Sequence, residues 1–100
     1  MRHKSIPFQI SALGQVLSEA NASGVSFLLT ELDTALGFLE VAQRSNLVET
    51  VQRNHENALK AYRTIQRFLP KVKLDVAQQK EINVKLAILK TRLLRAGYLV

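Results

Sequence analysis

His55 and Tyr62 stand seven residues apart, which places both on one side of a helix and makes them the one candidate pair for proton transfer. Catalysis by such a pair needs converging partners, and Glu56, next to His55, points ~100° away on a helix. The reading from the residues is therefore a core histidine bonded to a side chain or carbonyl of a neighbouring helix. With no cysteine and only two histidines, His3 and His55, a zinc site is not expected. Neither Glu-x-x-His nor His-x-x-x-His occurs, and Glu31 and Asp33 diverge on a helix. Gly-x-Ser-x-Gly and phosphate-cradling glycine loops are missing as well, so neither enzymatic activity nor a cofactor is expected.

The strongest chemical pattern is cationic. Arg53, Lys60, Arg63 and Arg67, with Glu56 among them, recur every three or four residues, and Lys71 and Lys73 extend the row. Such a stripe can follow a row of phosphates in a nucleic acid or another anionic partner. It can equally be a solvated face that keeps a domain soluble. The formal charge of +6 and the pI near 10.1 need dividing by position. Residues 1–50 hold three Lys or Arg against five Asp or Glu, a net −2; residues 51–100 hold eleven against three, a net +8. No aromatic residue interleaves the arginines, so stacking on bases is not supported and the solvated face is preferred.

Three helices must position these residues. The first is expected over about residues 25–43, where Val25, Leu28, Leu32, Ala35, Leu39 and Ala42 repeat in steps of three and four. Ser23 before Gly24 reads as its cap. Leu29, Leu36, Phe38 and Val41 widen its stripe, so the helix should be covered on more than one side. The second begins at Asn46 as cap, with Glu49 completing a variant capping box, and runs to Pro70 along Val51, His55, Ala58, Tyr62, Ile65 and Leu69. The cationic stripe falls opposite that seam. The third starts at an Asp75 cap, carries Ile82, Leu86, Leu89 and Leu93 on its seam, and ends at Gly97.

Short connections force neighbouring helices to alternate in direction. The expected fold is an all-α, antiparallel up-down-up three-helix bundle over residues 23–100. Residues 1–22 form an N-terminal segment, helix or flexible arm, that could add a fourth helix; Ser5 is its candidate cap and Ile6, Ile10, Leu13 and Leu17 its seam. The N-terminal stretch lacks the continuous apolar run of a signal peptide, and no run has the ~20 apolar residues of a membrane span, so a cytoplasmic protein is expected.

From Asn57 to Pro70 the chain resembles the second helix of a tetratricopeptide repeat, with Ala58, Tyr62 and Pro70 at that repeat's spacings and Ile65 where it wants a small residue. The preceding helix departs from the pattern, with Ala42, Ser45-Asn46 and Glu49 at its signature places. One half-motif implies hairpin packing of that style, since a peptide-binding solenoid needs about three repeats. Glu31-Leu32-Asp33, Phe38 through Ala42, Arg53-Asn54 and Ala58 through Pro70 together resemble small uncharacterised bacterial helical proteins. That resemblance implies architecture and no mechanism.

The expected function is that of a small non-catalytic interaction or scaffold protein. Phe27, Phe38 and Val41, or the N-terminal segment, are the candidate protein-contact surface, and self-association is the simplest version. The alternative is an anionic-partner surface formed by Arg53, Lys60, Arg63, Arg67, Lys71 and Lys73.

Overall fold

The computed structural model describes the backbone of residues 2–100 and the side chains of residues 12–100. Three α-helices account for most of the chain: α1 (Arg2–Arg44), α2 (Val48–Phe68) and α3 (Val76–Arg95). A 3₁₀ turn at Leu69–Lys71 follows α2, with Pro70 at its start. They form the expected up-down-up bundle, in which α2 runs antiparallel to both of its neighbours and packs most extensively on α1.

The first helix differs most from expectation. It is 43 residues long and passes through residues 20–25 without a break. The N-terminal segment is thus the first half of α1 and not a fourth helix, and Ser23 lies inside the helix instead of capping it. Nothing between Ala20 and Val25 forbids helix. Gly24 weakens it by about 1 kcal/mol relative to alanine, but a Cβ there would sit 2.7 Å from the Val72 side chain. The glycine is where the α2–α3 connection crosses α1. The proposed Ser5 cap and the Ile6 and Ile10 positions lie outside the described side chains.

The start of α2 is also one residue later than expected. Its N-cap is Leu47, which offers no side-chain oxygen. Ser45 Oγ instead accepts from the Leu47 amide at 3.1 Å, so a serine turn in the connection replaces the expected Asn46–Glu49 box. The ends of α3 match the reading in full. The Asp75 carboxylate accepts from the Gln78 amide at 2.7 Å, and the Gln78 side chain accepts from the Asp75 amide at 3.1 Å. At the other end Gly97 adopts φ 95°. Its amide bonds Leu94 and that of Tyr98 bonds Leu93, each at 3.0 Å, closing a Schellman motif.

The core is a single cluster. Leu28, Leu32, Ala35 and Leu39 come from α1, Ala58, Ala61, Tyr62 and Ile65 from α2, and Ile82, Leu89 and Leu93 from α3. Leu29, Leu36, Phe38 and Leu86 pack around it half-buried. Alanines on α1 and α2 let those helices approach closely, and leucines on α3 fill the third side. The core begins at Val25. The molecule is accordingly long, 70 × 23 × 20 Å, with a radius of gyration of 18.7 Å, against ~13 Å for a compact domain of this length.

Candidate functional site

Polar links from α1 to α3 and to the connection before it repeat at one sequence offset. Asn21 brackets the backbone of Lys73, donating to its carbonyl at 2.9 Å and accepting from its amide at 2.7 Å. Lys85 donates to Asp33 at 2.8 Å, and Arg92 donates to Glu40 at 3.1 Å. All three pairs are 52 residues apart; Lys73 belongs to the connection before α3, and the other two keep the offset that two parallel helices without relative slippage require. Lys85 also reaches Glu81 at 2.9 Å. Hydrogen bonds from Asp33 first and Glu81 second raise its pKa above the ordinary lysine value.

These links sort the cations. On α3, two basic side chains are taken up by acids of α1, and Arg44 stands 3.9 Å from Glu40. Arg53, Lys60, Arg63, Arg67, Lys71 and Lys73 are all exposed, as the helical wheel requires, and none meets a carboxylate among the described residues. Lys71 lies 4.9 Å over the Phe68 ring instead. The candidate cationic surface is therefore an exposed row on α2 and the turn after it, with Glu56 in its midst and no ion pair among the described residues.

His55 is half-buried and bonds to no core group. Its ring meets Tyr98 edge to face, with centroids 5.7 Å apart at 76°, and its nitrogens find no protein partner among the described residues. Tyr62, buried, accepts from the Gln66 amide at 3.1 Å. The expected bond from a core His55 to a neighbouring helix is not found among the described residues, because α2 turns Tyr62 inward and leaves His55 half-buried at the margin. The buried polar residue of α2 is Asn54, whose amide donates to the Thr50 carbonyl at 2.8 Å. Nothing in the helical period singles out Asn54, whose bond to Thr50 is local to α2. His55 lines an open cleft of about 460 Å³ with Leu39, Val51, Arg92 and Arg95. Among the described residues no group of three His, Asp or Glu could hold a metal ion, and no helix is long and apolar enough to cross a membrane.

The candidate apolar contacts divide. Phe38 is half-buried on the core. Phe27 is 42% exposed and leans on Phe68, ring centroids 5.7 Å apart at 77°. Val41 is exposed at the far end of α1. A further exposed apolar run among the described residues was not in that set by residue. Leu13, Val16 and Leu17 are 59%, 60% and 62% exposed, in a stretch of α1 where every residue from Ala12 to Ala20 is exposed. A groove of about 620 Å³ lies at its foot, lined by Gly14, Leu17, Asn21, Val72 and Lys73. Comparison with protein-family models, with curated proteins and with solved structures gave no match.

Proposed function

We propose that this protein is a non-catalytic helical interaction module that acts through protein–protein contact, with self-association through the first half of α1. The observation carrying this reading is an uncovered apolar patch. Leu13, Val16 and Leu17 share one side of α1, beside the face that buries Val25, Leu28 and Leu32, and stand 59%, 60% and 62% exposed. A lone exposed leucine is ordinary, whereas three large apolar residues within two turns of a projecting helix form a contact surface. Light scattering at micromolar concentration tests it. The wild-type chain should associate, and Leu13→Gln/Leu17→Gln should be monomeric with unchanged helical circular dichroism. A monomeric wild-type chain removes self-association.

A second reading rests on a separate observation, the six cations of α2 and its turn that α1's acids do not reach. They could hold a linear polyanion, with affinity falling steeply as salt rises. Fluorescence titration with generic RNA and DNA at low salt tests it: binding weakened by Arg63→Gln/Arg67→Gln supports the surface, and no binding ends it.

A further inference from the structure

The cleft beside His55 is built where α1 and α3 end and α2 begins. Its floor is apolar, with Leu39 and Ala42 of α1 buried and Val51 of α2 half-buried. Its rim is polar, with Gln43, His55, Arg92 and Arg95. All three helices contribute, so the cleft exists only in the folded bundle. At about 460 Å³ it falls within the ~300–1,000 Å³ of small-molecule sites.

The charge of the lining is one-sided. It holds two arginines and a histidine and, among the described residues, no Asp or Glu. Arg92 is shared with Glu40 at 3.1 Å, whereas Arg95 is exposed and meets no carboxylate among the described residues. The His55 ring is steadied edge to face by Tyr98, and its nitrogens find no protein partner among the described residues. An imidazole carries at least one N–H donor in either protonation state. An uncompensated guanidinium and an unused ring donor thus border an apolar floor.

We propose that this cleft binds a small amphipathic carboxylate, its head on Arg95 and His55 and its hydrocarbon body over Leu39, Ala42 and Val51. A guanidinium matches a carboxylate in planar, two-bond geometry. The floor gives an apolar body a surface to cover and gives a bare inorganic anion nothing.

The helix ends limit the charge of the ligand. Both α1 and α3 terminate beside the cleft and only α2 starts there. Two negative dipole ends therefore stand against one positive end. That balance penalises a dianion such as phosphate more than a monoanion. The cleft is also remote from Leu13 and Leu17, which lie in the other half of α1, so this site stands or falls apart from self-association.

The full chain, titrated with hexanoate at neutral pH and followed by nuclear magnetic resonance, tests the proposal. Saturable shifts are expected at Ala42, His55, Arg95 and Ala96. Hexanamide, the same chain without the charge, should bind about tenfold more weakly, and Arg95→Gln should weaken hexanoate by about tenfold with unchanged circular dichroism. His55→Phe keeps a ring against Tyr98 and removes the donor, and it should weaken hexanoate several-fold. Equal binding of hexanamide, or no effect of Arg95→Gln, would reduce the cleft to an apolar hollow and overturn the proposal. Inorganic phosphate binding as tightly as hexanoate would make it a general anion site and overturn the assignment of ligand. No saturable shift at these residues would remove the site altogether.

Discussion

Two glycines of α1 have opposite roles, and the difference lies in their surroundings. Gly24 faces the Val72 methyl group, 2.7 Å from where a Cβ would be, whereas Gly37 faces open space. Alanine at either site gains about 1 kcal/mol of helix propensity. At Gly24 that gain meets a short, β-branched side chain that cannot swing away, and overpacking of this kind costs about 1–3 kcal/mol. Gly37→Ala should therefore raise stability by about 0.5–1 kcal/mol in urea unfolding. Gly24→Ala should lower it by about 1 kcal/mol. Equal stabilisation by both would mean that the α2–α3 connection does not press on α1 at Val72. The sequence shows both residues as glycines in a helical run, and only the crossing chain distinguishes them.

Among the elements, α3 was the most legible because its signals are local. A cap and its reciprocal glutamine lie three residues apart, and the closing glycine lies one residue past the Ala96 cap. Asp75→Ala should cost about 1 kcal/mol by denaturant titration, within the 0.5–2 kcal/mol of such caps. Asn46 had the right residue type for α2, but the helix starts one residue later, with Leu47 as N-cap and the Leu47 amide held by Ser45. Pairing between elements adds a pH dependence. The folded pKa of Lys85 is raised by Asp33 and Glu81, so its contribution is complete below the unfolded lysine value. It is lost as pH climbs through the folded value, on the alkaline side of the ordinary lysine range. Lys85→Met should be less stable than wild type at neutral pH, and the gap should close at strongly alkaline pH and shrink in high salt. A gap unchanged by either would show that the lysine acts through its aliphatic stem. The seven-residue steps from Asp33 to Glu40 and from Lys85 to Arg92 were visible in the chain. Their partnership follows from α1 and α3 running parallel at a fixed offset.

At the scale of the molecule, one cluster holds three helices while α1 outruns it. Leu89 is fully buried and its neighbour Ile88 is 44% exposed. Leu89→Ala should cost ~2–5 kcal/mol as a cavity-forming truncation, while Ile88→Ala on the outer face should change stability by far less. Thermal melts of the two proteins make the comparison, and similar losses would mean that α3 is covered on its outer side as well. Charge is organised at this scale too. The acids of α1 neutralise part of α3, which leaves the positive excess of the second half concentrated on α2 and the turn after it.

The sequence by itself determined the three helices, their alternating direction, the buried face of each and the solvent side of the cationic stripe. These follow from periodicity, caps and short connections, all of which act within a few residues. It did not determine that the N-terminal segment continues α1, because a weak helical stretch with an internal glycine reads alike whether it is separate or continuous. The tertiary structure decided that point, and with it the exposure of Leu13, Val16 and Leu17. It also turned His55 out toward Tyr98 and buried Asn54. The reason is common to all of these. Burial depends on where the other helices end, and the bundle ends at Asn21 because the α2–α3 connection crosses α1 there.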